Sequence, residues 1–412
     1  MTKPQFSSSI LFYLNGSRRV IDDVDLDMTL LQYLRSTGMT SVKLGCGEGG
    51  CGACTVMVSS YDSVTNKPRH YTANACLFPL YAVDGLHIVT VEGLGNSTNP
   101  HQIQLRLATL HSFQCGFCTS GFVMSLYVLL RNNPQPTELE IEECFDGNLC
   151  RCTGYRPILD AAKTFAKDAW KSGSSIGPDG LVNVAQANGG CGIKDCCRLQ
   201  GTNQQEFSLP EPAASRTNGT TGEGGGCCKG GSAKLGCCKS ATANGAEAEK
   251  LEAMKKFTPY DETQEPIFPP FLARYARNET SEDEPCRQAL MLRNNRADAQ
   301  CKLFYRPLNL KQLLAIISEH PDAKLVAGSS EIGIEKTFKH SEFPVQVYVS
   351  DVPELCQVEE VAGGISFGAN ITLARFNHVL QQLSEQHGLA KSQCFDALKN
   401  ALKFFAGNQI RN

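Results

Sequence analysis

Nine cysteines in the first 152 residues fall at intervals that suit metal ligation. Cys46-x4-Cys51-x2-Cys54, with Cys76 22 positions later, is the spacing by which a plant-type ferredoxin loop brings thiolates to one 2Fe-2S cluster. Three thiolates must converge from a single loop. Gly45, Gly47, Gly49, Gly50 and Gly52 let that backbone fold tightly and aim its N–H groups at sulfur. The same glycines give the loop a phosphate-cradle look, but a phosphate loop has no use for three cysteines at these intervals. Zinc is the stronger rival, although zinc sites usually draw on two short Cys pairs rather than a four-residue gap. A second set follows. Cys115-x2-Cys118 opens an apolar helical stretch, and Cys150-x-Cys152 lies in a loop before a further helix, so helix ends can favour thiolates and an anionic centre. Alone this set suits zinc nearly as well as iron; beside the first constellation it points to a second cluster. Cys144 is the odd residue and reads as a small buried hydrophobe. His70, His87, His101 and His111 are scattered and read as surface or core residues, not ligands.

The rest of the composition sets the surroundings of this chemistry. The chain has 412 residues, 20 of them cysteine and one tryptophan. Met1 to Gly16 offers only a short apolar run, Ile10 to Leu14, too little for a signal-peptide core. The thiols are therefore expected in a reducing compartment, where ligation wins over disulfides. The expected address is cytoplasmic, with a peroxisomal one left open because its signal would lie at a C-terminus beyond Asn412. The formal net charge of −3 gives no basic field for nucleic acid or an anionic membrane. The longest nearly apolar run, Gly121 to Leu130, falls well short of the ~18–20 residues that span a bilayer.

Elements that can position the cysteines are legible in the pattern. Ser9 to Leu14 and Arg19 to Val24 read as strands joined at Asn15-Gly16, a two-residue hairpin turn. Asp27 is expected to cap a helix carrying Leu30, Leu31 and Leu34, and strands are expected over Cys54 to Ser59, Tyr71 to Cys76 and Leu86 to Val91. From Pro100 the period becomes helical: Ile103 to His111, Gly116 to Arg131, Thr137 to Phe145 with a Thr137 and Glu140 capping box, and Tyr155 to Trp170. Residues 171–256 hold 16 of the 37 glycines and few large apolar side chains, the composition of a linker. Beyond it an α+β pattern runs through Phe304 to Pro307, a helix at Leu308 to Glu319, and strands at Lys324 to Ala327, Val345 to Val349 and Gly364 to Phe367.

The runs Gly45 to Cys54, Gln114-Cys-Gly-Phe-Cys118 and Asn148-Leu-Cys-Arg-Cys-Thr-Gly-Tyr-Arg156 resemble the two iron–sulfur domains of the molybdenum hydroxylases, nearest their xanthine dehydrogenase branch. The resemblance covers about residues 8–170 and resumes at about 300–412. There Leu325 to Gly333 resembles the first flavin loop of that family and Phe404 to Asn412 the segment before the second. It implies a multidomain α+β chain: a β-grasp ferredoxin-like domain at 1–92, a four-helix 2Fe-2S domain at 93–170, a flexible Gly/Cys-rich linker at 171–297, and a truncated FAD-binding domain of the PCMH type at 298–412. The end at Asn412 reads as a cut inside the flavin domain, with the molybdenum domains absent.

Carried over by position, the resemblance assigns Cys46, Cys51, Cys54 and Cys76 to the ferredoxin-like cluster and Cys115, Cys118, Cys150 and Cys152 to the other, which lies nearer molybdenum. Gln114 matches a glutamine that bonds molybdopterin. Leu325, Val326, Ala327, Gly328, Ser329, Ser330, Glu331 and Ile332 match residues that wrap the FAD diphosphate; read on their own they are a strand and a Gly328-Ser329-Ser330 turn whose N–H groups suit an anion. Glu331 is expected to orient that turn, and Phe405 matches an aromatic that packs on the flavin. Ser120 departs from the usual proline. No catalytic residue is assigned, because the chemistry lies in the absent domains. The implied activity is purine hydroxylation, with electrons passing from molybdopterin through two 2Fe-2S clusters to FAD and then NAD, in a homodimeric complete protein. Two rivals are an aldehyde oxidase or other molybdenum hydroxylase, and a zinc-binding interaction module. Cys191, Cys196, Cys197, Cys227, Cys228, Cys237 and Cys238, in the linker, are expected to bind nothing specific.

Overall fold

The computed structural model describes residues 6–62, 65–167, 257–280, 284–294, 301–386 and 389–412. The expectations for the linker cysteines between 191 and 238 and for Trp170 lie outside the described residues.

Strand β1 (Phe6–Ser7) is followed by the hairpin β2 (Ile10–Leu14) and β3 (Ser17–Ile21). Asn15 and Gly16 both take positive φ, 48° and 81°, as a turn matched to strand twist requires. With β4 (Thr55–Asp62), β5 (Lys67–Asn74) and β6 (His87–Val89), β2 and β3 form a mixed sheet in the order β3-β2-β6-β4-β5. The helix Leu30–Ser36 turns Leu30, Leu31 and Leu34 into its core. Its cap is Thr29 rather than the expected Asp27: the Gln32 amide donates to Thr29 Oγ1 at 3.3 Å, and Gln32 Oε1 accepts from the Thr29 amide at 2.8 Å. Asp27 stands two residues too early and meets the ammonium groups of Lys302 at 2.8 Å and Lys336 at 3.3 Å.

Four helices follow, Gln102–Thr109, Thr119–Asn132, Glu138–Cys144 and Arg156–Lys163. Thr119–Asn132 is buried almost all round, with Phe122, Met124, Leu126, Tyr127 and Leu130 inside, as its composition requires. The Thr137 and Glu140 capping box forms as expected, at 3.2 and 2.7 Å.

The described residues include a helix and a strand before residue 298, inside the span read as linker. Helix Pro270–Arg277 buries Phe271, Leu272 and Tyr275 against Leu11, and β7 (Ala289–Arg293) joins a second sheet. The linker composition covers only 171–256, and the short apolar runs between Phe268 and Leu292 lie beyond it. The second sheet runs β1-β7-β8-β10-β9, with β8 (Leu303–Arg306), β9 (Lys324–Val326) and β10 (Val345–Tyr348). Its edge strand β1 comes from the start of the chain and pairs in parallel with β7. Helices Leu310–Glu319 and Ile332–Phe338, a two-stranded ribbon β11 (Val358–Val361) and β12 (Gly364–Phe367), and helices Leu373–Gln386, Leu389–Lys403 and Asn408–Arg411 complete the chain. Leu290, Leu292 and Phe304 of the second sheet pack into one core with Ile10 of the first, Leu30 of the helix on it and Tyr81 of the connection to β6. No described helix is long and apolar enough to cross a membrane.

Candidate functional site: two thiol quartets and a cleft

The loop from Gly45 to Cys54 is held open for its cysteines by glycine. Gly47, Gly49 and Gly52 take φ of 75°, 77° and 70°, and a Cβ on Gly45 would stand 2.6 Å from Cys51 Sγ. The backbone aims N–H groups inward, from Cys46 to Cys51 Sγ and from Glu48 to Cys46 Sγ, each at 3.3 Å. The β4–β5 register opposes Thr55 to Asn74, and Ala75 donates to the Cys54 carbonyl at 3.2 Å, so Cys54 and Cys76 meet just beyond the hairpin's open end. Burial opposes charge on Cys46, but the N–H groups of Glu48, Cys51 and Gly50 outweigh it and bring the thiol below its ordinary range. Cys54 is held protonated by its hydrogen bond to Cys76 and by burial, and the same hydrogen bond lowers Cys76.

The second quartet forms where two loops meet. Cys118 is the cap residue of helix Thr119–Asn132, and Cys150 and Cys152 precede helix Arg156–Lys163. Cys152 Sγ lies 3.4 Å from Cys115 Sγ, and these two thiols are exposed. Cys118 is half-buried, and burial with a hydrogen bond to Cys150 pushes its thiol up to about 12. The N–H of Phe117 lowers Cys115. Cys144 stays outside both sets; the residue is half-buried rather than in the core, and desolvation pushes its thiol up.

In both sets the thiols gather two by two: Cys46 with Cys51, Cys54 with Cys76, Cys115 with Cys152, Cys118 with Cys150. Among the described residues no three Cys, His, Asp or Glu side chains close on one ion position. Four thiols in two pairs match the ligand set of a dinuclear cluster, two thiolates for each iron. Glycine at position 45 is what lets Cys51 Sγ lie directly against the loop backbone.

The two loops touch through backbone. Leu149, next to Cys150, donates its N–H to the Cys51 carbonyl at 3.0 Å. Asn148, buried, accepts from Ser125 Oγ at 2.7 Å and from Gln409 Nε2 at 3.1 Å, and its amide reaches the Gly52 carbonyl at 3.4 Å. Gln409 also donates to Thr55 Oγ1 at 3.2 Å. A Cβ on Gly121 would stand 2.2 Å from the Gly52 carbonyl oxygen, and one on Gly52 2.3 Å from that of Gly147. The sequence reading missed Asn148, Gln409 and this glycine contact. The one available signal was Gly121, a glycine in the first turn of an apolar helix with no propensity reason to be there.

Beside the first quartet a cleft of about 560 Å³ is lined by Asn74 and Leu77 on one side and by Ala327, Gly328, Ser330 and Phe405 on the other. Val326 is buried on β9, whereas Leu325 is exposed there. Ser329 makes the turn at φ 59°, and Glu331 caps helix Ile332–Phe338 through its carbonyl, which accepts from Glu335 at 2.9 Å, while Ile332 is buried. Residues 325–332 thus split between the rim of the cleft and the packing beneath it. An open polar turn beside an aromatic fits a dinucleotide with a phosphate and a flat ring system. Gln114 is exposed next to Cys115. Ser120 is buried, its hydroxyl without a hydrogen-bond partner.

Comparison with known proteins places these features in one lineage. Residues 12–81 match the family described as 2Fe-2S iron-sulfur cluster binding domain, 90–163 the [2Fe-2S] binding domain, and 297–412 the FAD binding domain in molybdopterin dehydrogenase. Xanthine dehydrogenase of Emericella nidulans is 45% identical over 99% of this chain and 26% of its own length. Xanthine dehydrogenase of Oryza sativa subsp. japonica is 40% identical over 99% of this chain and 27% of its own. Xanthine dehydrogenase/oxidase of Gallus gallus is 40% identical over 100% of this chain and 27% of its own. The chain spans about a quarter of the length of these relatives. It belongs to the molybdenum hydroxylase family, on the xanthine dehydrogenase side, and carries that family's two 2Fe-2S domains followed by its flavin-binding domain.

Proposed function

We propose that this chain is the electron-transfer portion of a xanthine dehydrogenase. In this reading Cys46, Cys51, Cys54 and Cys76 hold one 2Fe-2S cluster, and Cys115, Cys118, Cys150 and Cys152 the other. The rim from Leu325 to Ile332, with Phe405, contributes to an FAD site, and Gln114 faces a molybdopterin. When bound, these groups supply two one-electron carriers between a centre that hydroxylates a purine and a flavin that passes an electron pair to NAD. The protein's own part is to fix the carriers. Glycine shapes the first loop, the cap of helix Thr119–Asn132 supplies Cys118, and the Leu149 to Cys51 hydrogen bond sets the loops one bond apart. That bond is the observation that carries the reading, because two quartets built for zinc structure alone have no need of such contact. The complete protein is proposed to be a cytoplasmic homodimer.

Iron and acid-labile sulfide analysis of the purified chain tests this. The expected result is about four of each per chain, two per cluster. Stoichiometric zinc in a colourless protein would replace the reading with the metal-organised interaction module.

A further inference from the structure

Cys150 stands inside a closed ring of hydrogen bonds made by its own loop. Its N–H donates to Tyr155 Oη at 3.1 Å, and the Tyr155 N–H donates to Thr153 Oγ1 at 3.1 Å. Thr153 Oγ1 in turn lies 3.1 Å from Cys150 Sγ, and the Thr153 N–H reaches the same sulfur at 3.5 Å. Because the hydroxyl oxygen already accepts from Tyr155, its proton is free to point elsewhere. Once ligation has removed the thiol proton, Cys150 Sγ is an acceptor only, and the Thr153 hydroxyl must be the donor.

The loop is strained to achieve this. Tyr155 sits at φ 68°, a conformation uncommon for an aromatic residue, and that turn is what brings its N–H onto Thr153. Among the described residues Thr153 is the one hydroxyl that reaches a thiol of either quartet. Cys115 and Cys152 are exposed and Cys118 half-buried, so the side-chain donor goes to the one residue of the set that is buried as a whole.

We propose that Thr153 sets the reduction potential of the helical-domain cluster through its hydroxyl on Cys150, with Tyr155 aiming that hydroxyl. The inference rests on the two-cluster reading above. A hydrogen bond donated to a ligand sulfur draws off negative charge and stabilises the reduced, more negative cluster, so its loss lowers the potential. Thr153 is a positioning residue here, not a catalytic one.

The test is a redox titration of the full chain carrying both clusters, followed by electron paramagnetic resonance (EPR), for Thr153→Val, Thr153→Ala and Thr153→Ser. In Val and Ala, at the ambient potential where the second cluster is half reduced in the unsubstituted chain, the ratio of reduced to oxidised cluster is expected to fall about tenfold. That equals about 59 mV for one electron. Ser is expected to restore the ratio, and the first cluster to titrate unchanged in all three. An unmoved second-cluster potential in Val and Ala overturns the proposal while leaving the two clusters in place. Loss of the second cluster in both, with Ser retaining it, also overturns it, by making Thr153 structural. Absence of a second cluster from the unsubstituted chain would instead defeat the underlying reading.

Discussion

At the scale of single residues, burial without charge compensation leaves two measurable marks. His70 and His87 are buried beside Met57 and Arg131, and His70 Nδ1 lies 2.7 Å from Ser59 Oγ. Burial, aided by the positive Arg131, depresses both imidazoles from the usual 6.5 to about 4. The unfolded chain therefore takes up these protons first. Their contribution to stability is full above pH about 6.5, declines as the pH falls, and is gone below about 4. Urea midpoints measured across that window should fall with acid, and His70→Gln should flatten the slope; an equal slope in the variant would contradict the burial argument. Ser120 is the second mark. Its buried hydroxyl has no partner, so Ser120→Ala should raise unfolding free energy by about 1 kcal/mol. A loss of stability instead would mean that the hydroxyl is satisfied in solution.

At the scale of elements, the close approach of the two cysteine loops depends on glycine. Gly121 lies in the first turn of helix Thr119–Asn132 against the Gly52 carbonyl, and Gly121→Ala forces a methyl into a 2.2 Å gap. The expected cost is at least about 1–3 kcal/mol, as for an overpacked core, with weaker magnetic coupling between the two reduced clusters. Gly45→Ala acts on one element only: its methyl would meet Cys51 Sγ, so the first cluster should be lost from the spectrum while the second persists. Elements differ in how far the sequence revealed them. The hairpin at Asn15-Gly16 and the Thr137 box are local patterns, and local physics decides them. Asp27 shows where that fails. It has the chemistry of a cap, but Thr29 is the residue in register with Gln32, and the carboxylate is taken by lysines some 300 residues away in sequence.

At the scale of the molecule, a buried ion pair ties the ferredoxin-like sheet to the second one. Asp84 Oδ2 accepts from Arg306 Nη1 at 2.5 Å and Tyr275 Oη at 3.2 Å, and Oδ1 accepts from the Leu11 N–H at 2.6 Å. Burial alone would disfavour the guanidinium charge, but Asp84 and Asp351 hold it firmly protonated. Asp84→Ala should destabilise the chain by about 3–5 kcal/mol in urea unfolding, since it leaves Arg306 buried with only the more distant Asp351. Neither this pair nor the insertion of β1 into the second sheet could be read from pattern, because each joins residues over 200 positions apart and leaves no periodic trace. The gathering of the eight cysteines was legible, because thiols that converge from short loops leave their spacing in the sequence. Their division into two independent carriers is the central claim, and EPR of the dithionite-reduced chain with one cysteine changed in each quartet tests it most directly. The account predicts two signals in the unsubstituted chain, with Cys46→Ser altering or removing one and Cys150→Ser the other. A single signal that both substitutions abolish, or two signals that neither disturbs, would contradict it.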